Sequence, residues 1–281
     1  MKESISKYNM CSIPAFGVKA LFLCAAFAFA CLFSYSQKNV RKVKPPTYLE
    51  KSKIECIYHH VEADTVLDQL KQHYMMLQAG EEYSTFIDWK TYLCDSVYIS
   101  RGNTTEDGLA LELVNKYHST TRENVLRHND DFTVSNSFNL HYVEYTDSAF
   151  KINWEMHPDT MTVCGYLCHK ATARIRGVDW TAWYADDIAI DAGPWKFHGL
   201  PGMILKTSNA EGTHDYEAVT VRKPNAEYVR TRYHWKNVPR KKYVEMERAR
   251  ALGQLPAAIP GLKNPFYDRP ERRFYSPKEN E

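Results

Sequence analysis

The connection between two strand-like stretches restricts this chain more than any other segment. Asp179–Tyr184 alternates apolar and polar residues, as does Met203-Ile-Leu-Lys206, and eighteen residues, 185–202, separate them. Connections in compact domains are mostly much shorter, and longer ones are functional or disordered. This one is too apolar to be disordered, because it contains Ile188, Ile190, Trp195, Phe197 and Leu200. Gly193-Pro194 and Pro201-Gly202 fix its corners. Leu200-Pro-Gly-Met203 matches a type II turn, in which Pro presets one central residue and Gly supplies positive φ at the next. The expectation is a rigid, aromatic-rich loop of the Ω type.

Ile54–Tyr58 reads as a first strand, Tyr74–Gln78 and Tyr83–Ile87 as two strands around a turn at Gly80, and period-two alternation beyond residue 138 predicts strands at Ile152–Met156 and Tyr216–Val221. Cys164–Ile175 reads as a strand pair or one long bent strand, and His157-Pro-Asp-Thr160 as a turn. Asp64 is placed to cap a short helix through Leu70, and Asp95–Ile99 continues a strand or begins a linker. Thr104–Tyr117 reads as the central helix, with a Thr cap and acids in its first turn. Residues 119–138 are polar and poorly patterned, and Pro239 opens a late helix. The fold class that follows is mainly β with some helix (α+β). It is one curved antiparallel sheet, at its most closed a half-open barrel, with one or two covering helices.

The N-terminus carries Lys2, Lys7 and Lys19 ahead of a 14-residue apolar run, Ala20–Phe33. That fits a signal peptide and is short for a membrane span. Ser34-Tyr-Ser36 predicts cleavage before Gln37, with a lipoprotein form cut before Cys31 as the less favoured alternative. Cleavage leaves no transmembrane span. The expected organisation is a signal peptide at 1–36, an extended leader at 37–52, a β-rich domain at 53–228, and a basic helix with a Pro- and aromatic-rich tail at 229–281. The tail is expected to form an extended strap or to be disordered. A net charge of +2 gives no argument for nucleic acid. After cleavage four cysteines remain, Cys56, Cys94, Cys164 and Cys168, and four allow three pairings. Cys164 and Cys168 on one strand would lie too far apart to pair.

Ala182-Trp-Tyr184, Ile188-Ala-Ile190, Gly193-Pro-Trp-Lys-Phe197 and Gly199-Leu-Pro-Gly-Met-Ile204 together resemble the signature block of the GLPGLI family, exported proteins of Bacteroidota. Met203 stands where that family has Leu. Gly165-Tyr-Leu-Cys-His-Lys-Ala171 and Tyr83-Ser-Thr-Phe86 resemble two further family elements. The resemblance spans roughly residues 50–225. It implies a location in the periplasm or at the outer membrane and a link to TonB-dependent uptake, and it implies no particular reaction.

Two chemistries compete for the loop. Trp183, Tyr184, Trp195, Phe197 and His198 sit on or beside it, and stiff aromatics make good binding anchors. They suit a peptide, a lipid or an envelope protein as partner, and equally suit a plug of the core. Gly193, Pro194, Gly199, Leu200, Pro201 and Gly202 form the structural part of the motif. The alternative is a hydrolase using Asp186, Asp187, Asp191 and His198. No Gly-x-Ser-x-Gly elbow or His-Glu-x-x-His helix is present, and Cys164, Cys168 and His169 are poorly spaced for zinc. The expectation is therefore a non-enzymatic binding or accessory protein with no cofactor and no metal.

Overall fold

The computed structural model describes residues 47–64, 69–100, 116, 121, 123–138, 141–224, 228–231, 235–252 and 278. The expected signal peptide lies outside these residues. So do most of the expected helix at 104–117, of which Lys116 is helical, and most of the tail.

The chain is built from strands, as the alternation predicts. They are β1 (Thr47–Lys51), β2 (Ile54–Asp64), β3 (Gln69–Ala79), β4 (Tyr83–Asp88), β5 (Asn124–His128), β6 (Asp131–Phe138) and β7 (His141–Asp147). There follow β8 (Glu155–Val163), β9 (Tyr166–Ile175), β10 (Val178–Ala185), β11 (Met203–Asn209), β12 (His214–Arg222), β13 (Tyr228–Thr231) and β14 (Lys236–Asn237). Among the described residues two helices accompany them, α1 (Trp89–Ser100) and α2 (Arg240–Ala251). Twelve strands form one open sheet in the order β14-β7-β6-β5-β4-β3-β2-β12-β11-β10-β9-β8. Every pairing in it is antiparallel except β14 with β7, so the sheet is mixed. β1 and β13 form a separate two-stranded sheet, so part of the expected leader is a strand.

The large sheet curls without closing. Arg176, in the β9–β10 turn, grips Asp147 at the end of β7 with two hydrogen bonds of 2.7 and 2.8 Å. Those strands sit near opposite edges of the sheet, so the two flanks must face each other. The core fills the space between, with Tyr58, Leu77, Phe86, Val134, Trp180 and Tyr216 contributed by strands across the sheet. The outer face has a smaller cluster of its own, Met76, Ile87 and Tyr92. Met76 belongs to the opposite parity from Met75 and Leu77, so α1 packs outside the curl. Asp88 starts α1 by accepting a hydrogen bond from the Thr91 N–H at 3.0 Å. α2 packs inside instead, where Tyr243 meets Phe138 and Tyr145 edge-on.

Several expectations fail for identifiable reasons. The helix predicted over 64–70 is absent at both described ends, since Asp64 closes β2 and Gln69 opens β3. Long-range pairing of those strands, in register from Ile54↔Ala79 to Asp64↔Gln69, overrides the local cap signal. Asp95–Ile99 is helical, because Asp88 caps a turn and Tyr92 finds an apolar face to cover. The poorly patterned 119–138 holds β5 and β6, joined by the turn Asn129-Asp130 with Asn129 at φ 54°. Ile152–Trp154 is irregular, and His157–Thr160 is a bulge inside β8 rather than a turn. Cys164 lies in the two-residue β8–β9 turn with Gly165, both at positive φ, so it does not share a strand with Cys168. All four described cysteines are free thiols.

Candidate functional site

The segment between β10 and β11 lies inside the curl. Ile188 at one end and Leu200 at the other are buried, as are Gly193 and Pro194 between them. Backbone hydrogen bonds hold it, including Met203 N–H to the Ile188 carbonyl at 3.0 Å and Ile204 N–H to the Ala192 carbonyl at 2.9 Å. Trp195 takes positive φ (52°), and so does Gly199 (84°). Gly202 does not, so the predicted type II turn does not form. Glycine is required at 202 by space. A Cβ there would meet the backbone of Ala185 and Asp186, at the end of β10. Gly193 is hemmed in likewise, by Ile204 Cβ at 2.8 Å and the Phe197 carbonyl at 2.9 Å. Pro201 is exposed at the corner.

The rings of this segment point into the core. Trp195 is 5 % exposed and stacks near Trp180 at 6.4 Å, and Phe197 meets Trp180 edge-on at 4.7 Å. Rings buried to this degree contribute about 2–3 kcal/mol each by area alone. His198 is buried against Phe132 at 4.9 Å, and its Nδ1 donates to the Lys196 carbonyl at 2.9 Å. Burial pulls its pKa below the usual histidine value, partly opposed by that carbonyl. The carbonyl of His198 accepts the Trp154 indole N–H at 2.7 Å. Tyr184 is buried at the end of β10, its hydroxyl 3.7 Å from Met156 Sδ.

The expected acids do not gather at His198. Asp191 accepts from Arg127 at 2.8 Å and from the Gly199 N–H at 2.5 Å, which pins the loop to β5. Asp186 faces His169 at 3.7 Å, and Asp187 is exposed in the turn. Among the described residues, no group of three or more His, Cys, Asp or Glu is placed to hold a metal.

Sequence reasoning missed the charge inside the plug. Lys196 is fully buried, with its ammonium 3.1 Å from Asp147 and 4.5 Å from the Phe150 ring centre. It also lies over the rings of Trp195 at 4.6 Å and Tyr145 at 5.9 Å. Burial works against the Asp147 carboxylate, but Arg176 and Lys196 outweigh it and hold its pKa below the ordinary range. Lys278, the one described residue of the tail beyond Leu252, is inserted nearby. Its ammonium donates to Glu123 at 2.6 Å and its carbonyl accepts the Trp180 indole N–H at 3.1 Å.

A row of buried histidines runs beside the plug. His60 on β2 is in cross-strand register with His73 on β3 and Tyr216 on β12. His60 Nε2 and His214 Nδ1 are 3.3 Å apart and the ring centres 5.6 Å apart. The extra separation matches one ring radius on each side, so the rings meet head-on, as in an N–H···N hydrogen bond. Burial, reinforced by Lys278 and the neighbouring rings, pushes the His60 pKa well below its usual value.

Trp183 differs from the other aromatic residues singled out in the sequence. It alternates with Ala182 and Tyr184, so it lies on the outer face of β10 and is half-buried. Its cross-strand neighbours are Lys206 on β11 and Lys170 on β9.

Residues 114–243 match the family model described as N-glycanase peptide, N-terminal domain. No curated protein matches the sequence. Among solved structures, PNGF-II in a C2 crystal is similar at 17 % identity and a TM-score of 0.49, covering 70 % of this chain and 32 % of that one. PNGF-II in a P21 crystal gives 17 %, 0.48, 70 % and 33 %. The chain thus spans about a third of the PNGF-II structures it matches. An uncharacterized conserved protein from Thermus thermophilus is similar at 7 % identity and a TM-score of 0.35, covering 70 % of this chain and 91 % of that one.

Proposed function

We propose that this chain is an exported accessory protein of the cell envelope that binds glycosylated partners and performs no chemistry of its own. The observation that carries the reading is the use of the 185–202 segment. Its rings, its lysine and its histidine are committed to packing and to internal hydrogen bonds, and Asp191 to holding the loop. A general base needs a path to a proton on a substrate. His198, only 4 % exposed and donating to its own loop, lacks one.

The match of residues 114–243 to an N-glycanase N-terminal domain supports the link to glycans. The N-terminal segment, with lysines ahead of a short apolar run, supports export with a mature start at Gln37. The GLPGLI-like block supports the same destination, the periplasm or the outer-membrane surface, beside TonB-dependent uptake.

Retention of the protein beginning at Gln37 on an immobilised N-glycosylated glycoprotein tests the reading, with the same glycoprotein stripped of glycan as control. The expected result is retention on the glycosylated resin alone, with no glycan released. Equal retention on both resins, or release of glycan, overturns the proposal.

A further inference from the structure

The outer face of the sheet carries a row of side chains, one of which, Trp183, also packs in part against the core. Following the register strand by strand from β3 to β8, it reads Tyr74, His59, Glu217, Lys206, Trp183, Lys170, His157. Seven strands at about 4.8 Å spacing give a track of roughly 29 Å. The next row, two residues along, is polar except for Val61 on β2, with Gln72, Asp215, Ser208, Thr181 and Thr172.

We propose that this face is a saccharide-binding platform, on which the outward part of the Trp183 indole and the Tyr74–His59 pair stack against sugar rings while the flanking polar groups hydrogen-bond the hydroxyls. It rests on the glycan-binding reading above and assigns that binding to the side of the sheet opposite the signature loop.

Three features select the ligand. Tyr74 is 52 % exposed and packs on His59 at 5.2 Å, and Trp183 lies further along the same row, about 19 Å away at four strand spacings. Flat rings spaced along the outer face of the curl suit a chain with repeating apolar C–H faces. The two lysines are already answered by carboxylates. Lys206 bonds Glu217 and lies 3.8 Å from Asp215, while Lys170 lies 3.8 Å from Asp159 and 6.0 Å over the Trp183 ring. A face whose cations are paired in this way does not attract a phosphate or an anionic lipid surface. It does present donors and acceptors in adjacent pairs, which suits the vicinal hydroxyls of a neutral glycan. His59 Nε2, held at 3.1 Å from Gln72 Oε1, fixes one such pair.

The test titrates the protein with the free oligosaccharide released from the N-glycosylated glycoprotein, by calorimetry. The variants are Trp183→Ala, Trp183→Tyr, Tyr74→Ala and Lys206→Gln, and phosphatidylglycerol vesicles are a second probe. Trp183→Ala is expected to weaken binding at least tenfold while the variant stays folded at the titration temperature, with partial recovery in Trp183→Tyr. Tyr74→Ala, at an exposed position, gives an independent reading if Trp183→Ala unfolds. If wild type stays on the glycosylated resin but Trp183→Ala and Tyr74→Ala bind as tightly, the platform is overturned and the glycan reading stands. If wild type ignores the glycosylated resin yet binds the free oligosaccharide through Trp183, the reading of glycosylated partners fails and the platform stands. Binding to vesicles that the oligosaccharide does not displace overturns the platform in favour of lipid.

Discussion

Replacing Gly202 by alanine drives a methyl group into the Ala185 carbonyl, with the Ala185 carbonyl carbon at 2.6 Å and Asp186 Cα at 2.7 Å. Those atoms are backbone, and strand pairing fixes them. Ala185 pairs with Met203 on one side, and Tyr184 pairs with His169 on the other. Relief therefore requires strand movement rather than a rotamer change. Overpacking of this kind costs about 3 kcal/mol, the upper part of the usual range. In a domain of this size that lowers the melting temperature by roughly 6–12 °C. Gly199 gives the contrasting case. Its nearest neighbours to an added Cβ are 3.9 Å away, but its φ is 84°. Alanine there should cost only about 1–2 kcal/mol, from the left-handed backbone alone. The two positions thus order their substitutions oppositely. Asparagine, which tolerates positive φ, should be milder than alanine at 199 and harsher than alanine at 202. Urea denaturation of the four variants measures this. A Gly202→Asn variant more stable than Gly202→Ala would refute the close-approach account and restore the turn read from the sequence.

Further expectations concern charge and thiols. His60, His73 and His198 all have pKa values pulled down, chiefly by burial. Below about pH 6.5 the unfolded chain takes up protons that the folded chain refuses. Each of these histidines then removes up to about 1.4 kcal/mol of stability per pH unit. Melting temperature should fall between pH 7 and pH 5, and a flat profile would count against the buried row. Asp147→Asn removes the carboxylate 3.1 Å from the buried Lys196 ammonium and should cost about 3 kcal/mol. Lys196→Met, which removes the buried charge, should cost less, as denaturant melts will show. Cys164 is exposed, whereas burial pushes Cys168 up to about 11 and raises the Cys56 thiol still further. Alkylation of the native protein followed by mass mapping should label Cys164 well before Cys56 or Cys168.

The strands are legible in the sequence wherever one face of the sheet is buried and the other is not, because that contrast writes the period-two pattern directly. Trp180–Tyr184 shows it, with Trp180, Ala182 and Tyr184 inward and Thr181 and Trp183 outward. The pattern weakens where both faces are covered. On β3, Met75, Met76, Leu77, Gln78 and Ala79 are all buried, and α1 beyond β4 hides its helical character behind an Asp cap outside the expected segment. β6 escapes notice because its alternation, Phe132 and Val134 against Thr133 and Ser135, breaks at Asn136 and Ser137, which are polar yet buried. The block at 193–206 announces its rigidity through glycine and proline, but not the reason for each glycine. Close approach of a distant strand end, as at Gly202, leaves no local trace. Neither does Lys196 signal its burial, since a lysine between two aromatics reads as a surface residue until Asp147 is brought to it from β7. Trp183 reads in the sequence as one loop-side aromatic among several. Only the register places it between two lysines, in one row with His59 of β2.

The central claim is that the signature loop is packed structure and that binding belongs to the opposite face. Oxidation of the native protein by N-bromosuccinimide, with tryptophans mapped by mass spectrometry, tests both halves at once. The account predicts that Trp183 reacts in the free protein and is protected when the N-glycan oligosaccharide is present, while Trp180 and Trp195 stay unmodified throughout. Rapid oxidation of Trp195 that the oligosaccharide suppresses, with Trp183 unaffected, would contradict it.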